Sequence, residues 1–91
     1  MSLSWIPPKD PDEVKDYGID WSALLLTDTI STSTWTVPVG ITKNSDTHTT
    51  TATTIWFSGG TAGTSYACLN RIVTNGGRTY DRTITLKMKS L

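Results

Sequence analysis

The sequence has little of what catalytic and metal sites are usually built from. It holds one cysteine, Cys68, and one histidine, His48. A lone cysteine excludes an intramolecular disulfide and gives no argument for an oxidising compartment. One cysteine and one histidine cannot make a zinc site. The carboxylates at 10–20 lack the D-x-[DN]-x-[DN]-G spacing of a calcium loop. A nucleophilic Cys68 would need a base and a pKa-lowering environment, so a small buried hydrophobe is its simpler role. His48 follows Asp46 by two residues and serines are plentiful, but a polar loop supplies neither an oxyanion hole nor a rigid orientation. The residues therefore indicate no enzyme, no catalytic set, no metal and no cofactor.

Charge is scarce too. Charged residues make up 18% of the chain, against roughly 25% in an average soluble protein. The net charge is zero, which argues against nucleic-acid and anionic-membrane partners. The charges are unevenly placed. Residues 1–46 hold seven acids and three lysines, for −4, while residues 47–91 hold five basic residues and Asp81, for +4. Either the two ends of the chain lie side by side in the fold, or opposite patches steer head-to-tail association between copies. Long apolar runs are missing: "ALLL" at 23–26 is the longest aliphatic one, too short to span a bilayer. The start "MSLSWIPPKD" lacks the apolar stretch of a signal peptide. The expectation is a soluble protein, made in a cytoplasm and not exported by a signal of its own.

Threonine fills the place of charge, clustering at 27–36 and 47–54. It is β-branched and suits a pleated sheet better than a helix. With 91 residues the chain is long enough for one domain with its own core.

Residues 1–16 form an extended N-terminal arm in this reading, because prolines 7, 8 and 11 fit neither a helix nor a central strand. The sandwich domain then covers 17–91. Tyr17, Ile19 and Trp21 alternate with Gly18, Asp20 and Ser22 as a half-buried strand. "ALLLTD" predicts a bend or a single helical turn. In "DTISTSTWTVPVG" (28–40) Ile30 and Trp35 differ in parity, so both reach one core only if a bulge or sheet switch near Ser31–Thr34 adds a residue. Residues 41–45 form a short strand at best, followed by a polar loop around Asn44–Thr49. In "TATTIWFS" (51–58) two bulky groups outweigh one, which turns Ile55 and Phe57 inward and leaves Trp56 partly exposed. "SYACLNRIVT" alternates, "NGGR" at 75–78 is a type I′ hairpin signal, and Ile84, Leu86 and Met88 share a face of the last strand. About six or seven short strands with no convincing helix predict an all-β, immunoglobulin-like antiparallel β-sandwich.

The glycine-rich "SGGTAGTSY" (58–66) invites a phosphate-binding reading. A P-loop needs G-x-x-x-x-G-K-[ST], yet Thr64 follows Gly63 and no lysine lies between Lys43 and Lys87. A strand follows, so no helix N-terminus receives an anion. The stretch is a corner. Tyr66 two residues before Cys68 resembles the tyrosine corner of immunoglobulin-like sandwiches.

The four tryptophans are 5, 21, 35 and 56. Each buries about 150–250 Å², so two suffice for a core of this size. Trp21 and Trp35 are the core candidates. Trp5, with Ile6, Pro7 and Pro8 of the arm, and Trp56 on an outer face are the protein-contact candidates.

Four stretches, "PKDPDEVKDYGIDWS" (8–22), "DTISTSTWTVP" (28–38), "WFSGGTAGTSY" (56–66) and "TNGGRTYDRTITL" (74–86), together resemble the small phage fiber-tail adaptor proteins encoded among tailed-phage and prophage structural genes. The resemblance implies a non-enzymatic virion component that joins tail and fiber proteins through protein contacts, with self-association open. It assigns no contact residue. The alternative is a small carbohydrate-binding sandwich using exposed Trp56. Coplanar exposed aromatics would favour sugar; an apolar tryptophan at a sheet edge would favour assembly.

Overall fold

The computed structural model describes residues 3–5 and 8–90, with Leu3 and Ser4 described by backbone alone. Along the chain run β1 (Leu3–Ser4), β2 (Lys15–Asp20), the single turn α1 (Ser22–Leu25), β3 (Ile30–Thr36), β4 (Ile41–His48), β5 (Ala52–Gly59), β6 (Ser65–Thr74) and β7 (Thr79–Lys87). They form two sheets, in the orders β1-β7-β6-β3 and β2-β5-β4. This is immunoglobulin topology: β2, β5 and β4 stand where strands B, E and D do, facing β3, β6 and β7 in the places of C, F and G. Among the described strands the pairings are antiparallel except that of β1, which lies parallel to β7, and a further parallel bridge joins Lys9 to Met88.

The core lies between the sheets and follows period two. Tyr17 and Ile19 of β2, Ile55 and Phe57 of β5, and Tyr66, Cys68 and Ile72 of β6 all point inward. The parity break in β3 is a bulge. Its register on β6 shifts between Ile30 and Thr32, and both Ile30 and Trp35 are buried. Trp56 is turned outward and is 39% exposed, while its neighbour Phe57 is fully buried. The leucine run becomes the one-turn α1, which buries Leu25.

Polar groups also tie the sheets together across the core. The Trp21 indole N–H donates to Thr53 Oγ1 and Asn70 Oδ1, each at 3.2 Å, and Thr53 Oγ1 donates to Asn70 Oδ1 at 2.7 Å. Asn70 Nδ2 then reaches Ser33 Oγ and the Thr34 carbonyl. The Arg82 guanidinium lies 4.6 Å from the Trp21 ring centroid, a cation–π contact that closes the core at that end.

The tyrosine corner is present. Tyr66 Oη accepts the Thr61 N–H at 3.1 Å and makes a longer 3.4 Å contact with the Gly40 carbonyl. Gly40 sits at φ +108°, and a Cβ there would meet the Tyr66 ring at 3.1 Å, so its lack of a side chain makes room for the ring.

Three expectations are corrected. First, the described part of the arm, expected to lie outside the 17–91 sandwich, is paired into it. β1 pairs with β7, and Lys9 donates to Lys87 and accepts from Lys89 through its backbone. The strand expected at Tyr17 already begins at Lys15. The two ends of the chain thus lie side by side. Second, the loop expected at 44–49 is mostly strand: β4 reaches His48, accommodated by a register shift between Lys43 and Ser45. Third, the hairpin at 75–78 is not type I′. Gly77 alone has positive φ, at +86°, and its N–H returns to the Thr74 carbonyl, as in a type I turn closed by a left-handed residue. A tertiary contact selects this form. Asn75 N–H donates to the Thr29 carbonyl, and Gly76 N–H and the Arg78 guanidinium bind the Asp28 carboxylate.

Candidate interaction surfaces

Trp5 is part of the core and not a surface anchor. Its ring centroid lies 5.2 Å from Tyr17, 5.9 Å from Trp35 and 5.8 Å from Phe57, and its indole N–H donates to the Gly18 carbonyl at 2.9 Å. Three tryptophans, not two, therefore fill the interior. The physical reason is the parallel β1–β7 pairing. Trp5 N–H donates to the Thr85 carbonyl, which sets the indole at the open end of the sandwich beside an aromatic cluster. A two-residue parallel strand leaves almost no periodic pattern, so the sequence offers little sign of it. Ile6 and Pro7 lie outside the described residues; Pro8 is half-buried.

Lys9 escaped the sequence reading altogether. It is fully buried, with its ammonium donating to the Gly59 carbonyl at 2.8 Å and to that of Asp10 at 3.0 Å. Burial lowers its pKa below the usual lysine value, against the opposing pull of Glu13, Asp10 and Asp12. The side chain pins the segment after β1 to the corner that follows β5.

Trp56 remains on the surface, in the middle strand of β2-β5-β4. Its cross-strand partners are Asp16 and Ser45, with Thr54 and Ser58 next along its own strand. Among the described residues the other large hydrophobics exposed to this degree are aliphatic. Trp56 is thus neither one of a coplanar aromatic pair nor an apolar residue at a sheet edge. The two outer faces differ in charge. Asp16 and Asp20 are exposed on the β2 side, whereas Arg71, paired to Asp81 at 2.7 Å, and Lys87 are exposed on the β6–β7 side.

The residues screened for chemistry are scattered. Cys68 is buried on β6, where desolvation pushes its thiol up to about 11, the opposite of what a nucleophile needs. His48 is exposed at the end of β4, and the Asp46 carboxylate is engaged by Lys43 at 3.2 Å. Among the described residues no helix is long and apolar enough to cross a membrane.

Residues 9–87 match the family model described as podophage GP4 fiber-tail adaptor protein gp77. The match runs from buried Lys9 through the last residue of β7, and so takes in β2 to β7 whole. The chain belongs to this family. Membership makes it a phage fiber-tail adaptor and a virion component. No curated protein matches it.

Proposed function

We propose that the protein is a non-enzymatic connector, synthesised in the bacterial host cytoplasm, that joins tail and fiber proteins in the virion through protein–protein contacts. The observation that carries this is the family match over 9–87, which spans both sheets of the sandwich. Its rigid body supports the reading: core aromatics, the Trp21–Thr53–Asn70 network and the tyrosine corner lock both sheets together. A connector needs such stiffness more than it needs a cleft.

Of the contact candidates among the described residues, Trp56 lies on an outer face, Pro8 is half-buried and Trp5 is buried. Trp56 offers a flat apolar surface ringed by polar groups, the anatomy of an interface anchor with its rim. Capture of tail and fiber proteins of its own phage by the wild-type protein and by Trp56→Ala tests the reading. Weakened capture by a variant of unchanged stability supports it; capture of neither tail nor fiber protein by the wild type overturns it.

A carbohydrate-binding reading has one specific support, the hydroxyl-rich surroundings of Trp56 in Thr54, Ser58 and Ser45. A glycan array separates the two readings, since sugar binding that Trp56→Ala abolishes would favour this second one.

A further inference from the structure

The described strands leave four sheet edges, and three of them are protected. β1 is two residues long. β2 carries Lys15, Asp16 and Asp20. β4 has the Lys43–Asp46 ion pair and a register shift between Lys43 and Ser45. Short strands, charges and bulges are the devices by which natural edges resist strand addition. The outer edge of β3 has little of this protection. The sequence from 29 to 42 contains no charged residue, and the register of β3 is regular from Thr32 to Thr36 once past the bulge at its start. Thr32, Thr34 and Thr36 are exposed. Among the described residues, the one backbone bond from β3 to a group outside its own sheet runs from Ile30 N–H to the Thr50 carbonyl. Beyond it, alternate N–H and C=O groups point away from β6, and the Thr34 carbonyl also accepts from Asn70 Nδ2.

The flanks of β3 indicate what covers this edge. The two most exposed large hydrophobics are Leu26, at 83%, and Val39, at 100%. Leu26 lies seven residues before Ser33 and Val39 six residues after it. Leu26 is also the described non-glycine residue with positive φ, at +58°, a conformation leucine rarely adopts. Two copies of β3 laid antiparallel about Ser33 would bring Leu26 of one copy to the Val39 end of the other, at both ends of the pairing. Thr32 would stand opposite Thr34 on the outer face, a favourable cross-strand pair. Identical strands facing each other meet no like-charge repulsion here, whereas the same pairing through β2 would set acids against one another. An unrelated strand would have to supply two apolar groups at this same spacing.

We infer that the outer edge of β3 pairs with β3 of a second copy, forming an isologous two-fold dimer with one sheet continuous through both. The pairing is independent of the adaptor reading, which requires contacts with other proteins elsewhere on the surface.

Sedimentation of the full chain over a wide concentration range tests it, beside T32K/T34K and the control T47K. T32K/T34K sets cations opposite cations across the two-fold axis; T47K adds a cation on β4. The expected result is a reversible wild-type dimer, retained in T47K and lost in T32K/T34K with its circular dichroism unchanged. Should T32K/T34K fail to fold, amide exchange of the wild type decides. Protection of the β3 amides that rises with concentration supports the pairing, and its absence overturns it. A wild type monomeric throughout overturns it too, as does a dimer that persists in folded T32K/T34K. A monomer that still captures tail and fiber proteins would overturn the pairing and leave the adaptor reading intact.

Discussion

The indole N–H of Trp5 donates to the carbonyl of Gly18, 13 residues on, across 2.9 Å. This bond fastens the N-terminal segment onto β2, while backbone bonds from Trp5 and Lys9 fasten it onto β7. The segment therefore touches both sheets and helps close the sandwich.

Trp5→Ala should accordingly behave as a core truncation and cost about 3–5 kcal/mol, the usual range for tryptophan. Deletion of residues 1–12 should destabilise at least as much, where a free arm would leave stability unchanged. Urea unfolding of both variants checks this, and melts that coincide with wild type would return Trp5 to the surface.

Neighbouring aromatics on β5 should differ sharply. Phe57 is fully buried and Trp56 is partly exposed, so Phe57→Ala should cost about 3–5 kcal/mol and Trp56→Ala much less. Denaturant melts of the isolated protein measure both. Equal losses would reverse the assignment of the two faces.

Lys9→Met keeps most of the side chain's volume but removes the donor to the Gly59 and Asp10 carbonyls. Removing the ammonium from these part-buried carbonyls should cost about 1–3 kcal/mol. If the variant matched wild type in chemical denaturation, the ammonium would be contributing nothing net at this position.

Asp28 should make stability acid-sensitive. Its pKa is lowered to about 2, first by the Thr74 hydroxyl, then by the Thr29 and Gly76 N–H groups and Arg78, with desolvation opposing. An unfolded aspartate titrates near ~3.9. The folded state thus binds this proton less readily, so the stabilisation is complete above the unfolded pKa and is lost as pH falls from about 4 through 2. Stability measured across this window should fall less steeply in Asp28→Asn. Identical slopes would show that Asp28 is not responsible.

Gly77→Val should cost about 1–2 kcal/mol, because a β-branched residue is strained at the φ of +86° found there. Thermal melts of this variant beside Gly76→Ala would be informative. A Cβ on Gly76 meets the Arg78 guanidinium at 2.6 Å and the Asp28 carboxylate at 2.8 Å, so that variant should be destabilised by crowding and not by φ.

Period two and turn chemistry act locally, which is why so much of the sandwich was legible. Alternation in 51–58 identifies the inward Ile55 and Phe57, and the failed parity between Ile30 and Trp35 announces the bulge in β3. Tyr66 two residues before Cys68 marks the corner that its hydroxyl holds. Each of these signals lies within about ten residues, and a solvent-exposed face opposite a buried one writes it directly into side-chain polarity.

What lay beyond that range was decided by tertiary contacts. Three prolines describe an extended segment but say nothing of where it lies; the parallel pairing with β7 places Trp5 and Lys9 where distant parts of the chain bury them, such as Gly59, 50 residues on from Lys9. Asn-Gly permits several turns, and the Asp28–Arg78 and Thr29–Asn75 contacts choose among them. The uncharged stretch at 29–42 is visible in the sequence, but that β3 within it forms an edge depends on the strand order, which among the described strands gives β3 no neighbour on its outer side. Composition and alternation act on each strand alone. Which strands meet, and which groups are left unpaired when they do, is settled only when both sheets compete for the same interior.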